Sequence, residues 1–379
     1  MSTVAAGLRV LAAGPLSTVQ DAGRFGHQRF GVSPAGAFDP LYLAAANTLV
    51  GNRRWDEGAV EITLRGDSWE VLAESCRVAV AGDFEVAIGD RPVGVWRSHT
   101  LRRGDVLKIG AARGTDVRGY LAVTGGLALP PVLGSVATHV RTRLGGLGGR
   151  SLKPGDVLPL RAASAPEEQP ELALDPADLP PGRGGGAVLL RVILGPQDDH
   201  FTAAGRETFL AAEFTVSREA DRMGYRLMGP ALEHDPARGY NIISDGIPPG
   251  AVQVPGTGLP IVLGPDRQTT GGYPKIACVI LPDMAALAQK KPGDRLRFRA
   301  VSAEEGRAAH VAFRRLLVEE LPRRLTPAGA PPSETLRSER LLALNLIGGV
   351  VDAAAAAAPG QIAAPRPGRP DHGFERRAG

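Results

Sequence analysis

Short β-branched runs, each cut off by glycine or proline, leave this chain little room for long helices. Glycine (49 copies) and proline (32 copies) make up roughly a fifth of its 379 residues, a balance that favours many short strands and turns. In the first half, segments 60–64, 69–72, 77–81 and 85–88 read as strands, punctuated by Gly82-Asp83, Gly89-Asp90 and Gly104-Asp105. One small element recurs. Leu101-Arg102-Arg103-Gly104-Asp105-Val106-Leu107, Leu152-Lys153-Pro154-Gly155-Asp156-Val157-Leu158 and Lys291-Pro292-Gly293-Asp294-Arg295-Leu296 share a base, a Gly-Asp turn and a strand entry. A second echo pairs Leu8-Arg9-Val10-Leu11 with Leu190-Arg191-Val192-Ile193-Leu194, and each opens one half of the chain. The period is far too long for a solenoid, so two related β-domains are expected.

The expected organisation is a β-domain over 1–161, an exposed linker over 162–186 built of Ala, Pro, Glu and Gly, and a second β-domain over 187–300. A helical stretch over 301–325 and an extension over 326–379 follow. A helix is expected over 39–50, capped by Asp39, started by Pro40 and ended by Gly51-Asn52, with Leu41, Ala44, Ala45 and Leu49 as its buried stripe. A short helix is expected over 202–210. An amphipathic one is expected over 303–321, with Ala309, Ala312, Phe313, Leu316 and Leu317 on one side. In the extension, 339–358 carries Leu341-Leu342-Ala343-Leu344-Asn345-Leu346-Ile347 and is expected to dock as a helix, ahead of a disordered tail.

Several function classes are set aside on composition. The formal net charge of +4 is spread along the chain and aromatics make up only 5%, so no nucleic acid is expected as a partner. No apolar run is long enough to span a bilayer and no basic-then-apolar leader opens the chain, which predicts a cytoplasmic protein with no membrane partner. Cys76 and Cys278 are expected as buried free thiols in a reducing compartment. The seven histidines are scattered and His200, beside Asp198-Asp199, reads as surface, so no metal site is expected. The run Gly145-Gly146-Leu147-Gly148-Gly149-Arg150 lacks the lysine and hydroxyl of a phosphate cradle and reads as a flexible loop. No lysine has a methionine neighbour, so no covalent biotin is expected on this chain.

Chemistry concentrates in one stretch. Two apolar runs, 261–263 and 276–280, read as buried strands, and the loop between them carries Asp266-Arg267-Gln268-Thr269-Thr270-Gly271-Gly272-Tyr273-Pro274-Lys275. A loop that only reverses the chain needs glycine and proline and little else. An acid, a base, an amide, hydroxyls, a phenol and a lysine held between two strands make a site candidate. Two further constellations combine a carboxylate with arginine: Gln20-Asp21 with Arg24, His27 and Gln28, and Ser217 with Asp221-Arg222-Met223-Gly224-Tyr225-Arg226. Such groups can hold a carboxylate in bidentate fashion and polarise an amide carbonyl, although Asp-Arg neighbours are also ordinary structural ion pairs.

Taken together, three strings are more specific than any one alone: Ser17-Thr18-Val19-Gln20-Asp21-x-Gly23-Arg24-x-Gly26, Asp221-Arg222-Met223-Gly224-Tyr225-Arg226-Leu227-x-Gly229, and Gln253-Val254-Pro255 followed by the 266–275 loop. With them the chain resembles the biotin-dependent carboxyltransferase family, also called allophanate hydrolase subunit 2 or KipA-like, over about residues 8–315. The resemblance implies a mainly β fold of two cyclophilin-like β-barrel domains, here with a C-terminal helical extension. The members it looks most like are the C-subunits of ATP-dependent 5-oxoprolinases, which open 5-oxo-L-proline to L-glutamate. Their partners are a KipI-like B-subunit and an A-subunit, with ATP and Mg2+ used at the level of the complex. Alternatives left open are carboxyl transfer to urea from biotin on a separate carrier, and a KipA-like regulatory protein that counteracts a KipI-like kinase inhibitor.

On this reading Arg24 or Arg222 would hold the carboxylate of a small-molecule substrate, and Gln253, Gln268 and Thr269 its amide or acyl phosphate. Asp266 and Lys275 would move protons or charge, Tyr273 would join the catalytic set, and Gln20, Asp21, His27 and Asp221 would complete the binding set. His27 stands where an aromatic is more usual, and the 325–379 extension has no counterpart in the family.

Overall fold

The computed structural model describes residues 6–166, 169–180 and 187–328. All of these fall in one unit, Met1–Ala330. The helix expected over 339–358 and the tail after it lie outside the described residues.

The first half contributes β1 (Gly7–Ala12), β2 (Thr18–Gln20), β3 (Ala59–Thr63), β4 (Ser68–Val71), β5 (Ser75–Ala81), β6 (Phe84–Ile88), β7 (Arg91–Pro92), β8 (Ser98–Arg102), β9 (Val106–Ala112), β10 (Arg118–Val123) and β11 (Val157–Pro159). They form two antiparallel sheets, ordered β11-β1-β4-β9-β6-β7 and β2-β3-β10-β5-β8. Leu8, Val10, Trp69 and Leu107 from one sheet meet Val60, Ile62, Val78 and Leu121 from the other in a single core.

The second half contributes β12 (Leu172–Ala173), β13 (Val188–Leu194), β14 (Phe214–Val216), β15 (Gly224–Met228), β16 (Asp245–Gly246), β17 (Ala251–Gln253), β18 (Ile261–Leu263), β19 (Thr270–Gly271), β20 (Lys275–Val279), β21 (Arg295–Ala300) and β22 (Thr326–Pro327). A closed barrel runs β13-β20-β17-β18-β15-β14-β21, sealed by the parallel pairing of β13 with β21. The fold is mainly β, and the echoing strands β1 and β13 are the first strands of the two sheet systems.

The three recurrent turns are built alike. Gly104, Gly155 and Gly293 take φ values of 87°, 88° and 92°, where a β-carbon is disfavoured. Asp105, Asp156 and Asp294 each accept from the backbone N–H three residues earlier, at Arg102 (2.7 Å), Lys153 (2.9 Å) and Lys291 (2.9 Å). The side chain closes the turn and aims the chain into β9, β11 and β21.

Helix α1 (Pro40–Leu49) is capped as expected, Asp39 accepting from the N–H groups of Leu41 and Tyr42. The single buried stripe is too modest an expectation, because every residue from Leu41 to Leu49 is buried. The helix is wedged between Ala79, Tyr120 and Ala122 of the first half and Leu316, Leu317 and Leu321 from the far end of the chain. Helix α2 (Ala203–Ala211) starts on Thr202. Helix α3 (Leu281–Ala288) was not anticipated, its apolar positions blending into the strand run before it. Helix α4 (Ala303–Arg315) begins with a Ser302–Glu305 capping box and passes into a π-turn over Leu316–Glu320.

Two loop expectations need correction. The segment read as an exposed linker is tied down where it is described. The buried Arg77 guanidinium donates to the carbonyls of Pro166, Gln169 and Pro170, and Leu174 and Leu179 enter the core around α1. A buried guanidinium requires acceptors, and this segment supplies them. The glycine-rich run is not a loose loop either. A β-carbon on Gly145 would stand 2.0 Å from the Ala137 carbonyl oxygen, and one on Gly149 2.1 Å from the Arg143 carbonyl carbon. Both cysteines are free, and burial pushes the Cys76 thiol up to about 12. Among the described residues no helix is long and apolar enough to cross a membrane.

Candidate functional site

The three strings, far apart in the chain, meet where the two sheet systems abut. The loop between β18 and β20 is stitched to the turn before β15, with Gly264 N–H donating to Met223 O (2.9 Å) and Asp266 N–H to Arg222 O (3.0 Å). It is also stitched to the N-terminal loop. Ser33 donates to Pro265 O (3.0 Å), and the Gln28 amide donates to Ile247 O (2.8 Å) and Thr269 O (3.1 Å).

A buried ion network holds this junction. Arg222 donates from Nε and Nη2 to the two Asp266 oxygens (3.0 and 2.8 Å), from Nη1 to Glu61 (2.5 Å) and from Nη2 to Gly36 O (2.7 Å). Glu61 is 1% exposed and also accepts from the Tyr120 hydroxyl (2.5 Å) and the Phe38 N–H (3.0 Å), with Arg118 Nε 3.9 Å away. Burial by itself would raise the Glu61 pKa. The Arg222 and Arg118 charges and the two hydrogen bonds outweigh it and hold the group below its ordinary value. For Arg222, burial lowers the pKa and the Asp266 and Glu61 carboxylates more than compensate, so it is raised.

This geometry revises several expected roles. Arg222 and Asp266 face each other in a bidentate pair that ties the junction, so each charge is already matched within the protein. Arg24 is buried, donating to the carbonyls of Val132 and Ala137, with Nη1 left unpartnered. Asp21 accepts from Gly23 N–H, the Ser135 hydroxyl and Val136 N–H, and Gln20 bridges Thr18, Gly36 and Thr138. Asp221 caps the turn into β15 through the Met223 and Gly224 N–H groups, and His27 is half-buried ahead of the turn Gln28–Phe30. Gln20, Asp21 and Asp221 hydrogen-bond within their loops, whereas Arg24 keeps Nη1 without a partner among the described residues.

Of the remaining candidates, Lys275, Gln253 and Gln268 lie on the barrel side of the junction. Lys275 stands opposite Gln253 on neighbouring strands. Its side chain is 0% exposed and its Nζ lies 3.0 Å from Asp245 Oδ2, a carboxylate 53% exposed. Gln197 ties the pair, accepting from Lys275 N–H (3.2 Å) and reaching Asp245 (3.4 Å). The Lys275 hydrogen bond is the chief reason the Asp245 carboxyl is held below its ordinary pKa. Gln253 donates to Tyr273 O (3.4 Å), and the Tyr273 ring is exposed. Gln268 is exposed and Thr269 half-buried. The Gln253 and Gln268 amides converge over Gly271: a β-carbon there would lie 2.7 Å from one Nε2 and 3.6 Å from the other. An ammonium with two amide donors can hold an oxygen that gains negative charge.

Glu61, Asp245 and Gln197 lie outside the three strings. Glu61 had a signal, a carboxylate between Val60 and Ile62 in an apolar strand, which demands a buried cation. Asp245 and Gln197 had none. Among the described residues no group of three or more His, Cys, Asp or Glu side chains is placed to hold a metal ion.

Residues 30–300 match the family described as carboxyltransferase domain, subdomain A and B. The chain is 37% identical over 289 residues to the 5-oxoprolinase C-subunit of Haemophilus influenzae, covering 76% of this chain and 89% of that one. It is 37% identical over 302 residues to the Escherichia coli protein of the same name, covering 79% and 92%. The crystal structure of the K. lactis urea amidolyase superposes with a TM-score of 0.76 at 27% identity. That match covers 86% of this chain but only 21% of the amidolyase chain.

Proposed function

The chain belongs to the carboxyltransferase domain family, subdomains A and B, and from that premise we propose that it acts as the C-subunit of an ATP-dependent 5-oxoprolinase. The observation that carries this reading is the cross-strand pair of Lys275 and Gln253, with the Gln253 and Gln268 amides converging over Gly271, on a chain similar to two proteins of that name along nearly their whole length. Opening 5-oxo-L-proline breaks the lactam C–N bond and adds one water across it, while a second water is consumed as ATP becomes ADP and phosphate. In the part assigned to this chain, Lys275 and the two amides hold the lactam oxygen or its phosphorylated form, and Asp245 keeps Lys275 aimed.

ATP and Mg2+ are assigned to the partners, an A-subunit and a KipI-like B-subunit. The glycine-rich run of this chain, Gly145-Gly146-Leu147-Gly148-Gly149-Arg150, lacks the lysine and hydroxyl that a phosphate cradle uses. The free cysteines accord with work in the cytoplasm. The test is glutamate release from 5-oxo-L-proline with each of the three proteins left out in turn, and turnover is expected only from the full set with ATP and magnesium. Activity of this chain alone, or of the set without it, would overturn the reading. The likeness to the urea amidolyase supports a second reading, carboxyl transfer from a separate biotin carrier to an amide such as urea. Turnover that needs a biotin carrier and bicarbonate instead would favour that one.

Gly271→Ala tests the site without touching a charged group. The added methyl falls within 2.8 Å of Ile247 and 2.7 Å of the Gln253 amide, so Gln253 is pushed aside. Activity of the complex is expected to fall by about ten- to a hundredfold, with the Tm lowered by only a few degrees. Unchanged turnover would remove Gln253 from the site.

A further inference from the structure

On the other side of the same loop, a cavity of about 200 Å³ opens between the N-terminal loop and helices α3 and α4. Phe38, Trp55, Met284 and Phe313 give it apolar walls, and Arg267, His310 and Arg314 are its titratable lining residues. Among the described residues no aspartate or glutamate lines it.

Arg267 is 2% exposed. Among the described residues it donates only to neutral acceptors: Ile247 O (3.0 Å), Gly264 O (3.4 Å) and the Gln28 side-chain oxygen (3.4 Å). The neighbouring carboxylate, Asp266, is engaged in its bidentate pair with Arg222. Burial lowers the Arg267 pKa to about 10, so the guanidinium is still charged at neutral pH. A buried cation without an anion is costly and is normally compensated. His310 Nδ1, also buried, has no hydrogen-bond partner. Arg314 lies 5.7 Å from the Trp55 ring, a second cation at the cavity wall. Positive charge, an orphaned imidazole nitrogen and flat apolar walls describe one kind of occupant.

We propose that this cavity binds a small organic carboxylate with a compact, ring-sized apolar body, its carboxylate on Arg267 and Arg314 and its body against Phe38, Trp55 and Phe313. An inorganic anion would leave the apolar walls wet. A neutral ring would leave Arg267 without its counter-ion. 5-oxo-L-proline is one molecule of the right class, but the proposal does not depend on its being the substrate.

Calorimetric titration of the full chain, without partners, tests it with four probes: cyclopentanecarboxylate, 5-oxo-L-proline, 2-pyrrolidinone and inorganic phosphate. Cyclopentanecarboxylate is expected to bind at least about tenfold more tightly than 2-pyrrolidinone, the difference of one charge-assisted contact. Arg267→Gln should abolish that preference, and Arg314→Gln, at an exposed position, should weaken carboxylate binding severalfold without disturbing the fold. If Arg267→Gln does not fold, Arg314→Gln and the ring comparison decide. Equal affinity for 2-pyrrolidinone, tighter binding of phosphate, or Arg314→Gln binding like the wild type would each overturn the proposal. Binding of cyclopentanecarboxylate but not 5-oxo-L-proline would uphold the proposal, which rests on a carboxylate and an apolar body and not on the lactam.

Discussion

Glu61→Ala is expected to destabilise the folded chain by about 3–5 kcal/mol, the cost typical of leaving a buried charge without its partner. The carboxylate is 1% exposed and sits between Arg222 and Arg118. Removing it leaves Arg118, itself buried, with a tyrosine hydroxyl and a backbone carbonyl as its acceptors. It also strips Phe38 N–H and the Tyr120 hydroxyl of their acceptor. Because these groups come from both sheet systems, the loss should appear as one cooperative transition at lower denaturant. Glu61→Gln keeps an acceptor and should cost less.

The same residue predicts an acid limb. Its folded-state pKa is depressed, so the stability it contributes is complete above the unfolded value of about 4.3 and is lost as pH falls through the lower, folded value. The gap between wild type and Glu61→Gln should therefore be widest near neutrality and close under acid. Urea titrations at neutral and acid pH measure it. A gap that is absent at neutrality, or constant with pH, would show that Glu61 is not the charge holding the junction.

Lys275→Met has the other large effect, on activity. Loss of one preorganised donor to a developing oxyanion costs about 10²–10³ in turnover, and glutamate formation by the assembled complex is expected to fall by that much. The fold should survive. The partner left behind, Asp245, is half in solvent and can be hydrated, and methionine fills much of the same space. Asp266→Asn provides the contrast. It weakens the Arg222 pair at the junction, so its main effect should be a lower Tm. If Lys275→Met retains near-normal turnover while Asp266→Asn abolishes it without loss of stability, the site has been placed on the wrong side of the loop.

Local physics made much of the architecture legible. The three Gly-Asp turns, the Asp39 cap of α1 and the short β-branched runs each depend on residues within a few positions of one another, and each stands where its sequence signal lies. The three strings that pointed to one family also did converge. Their interpretation residue by residue was another matter.

Asp266 and Arg267 are adjacent in sequence, which suggested a pair, yet Asp266 turns to Arg222 and Arg267 is buried among carbonyls. Glu61 finds Arg222 161 positions away, and Lys275 finds Asp245 30 positions away. A two-part β protein with a chemically rich loop between two barrel strands follows from neighbouring residues alone, because turns, caps and strand runs are local. Which cation neutralises which anion depends on distance and burial once the barrel has closed. A charge left in a dry interior takes the nearest partner in space, whatever its place in the chain. Folding therefore assigned Arg222, Asp266 and Glu61 to holding the halves together, paired Lys275 with Asp245, and gave Arg267 neutral hydrogen-bond partners among the described residues.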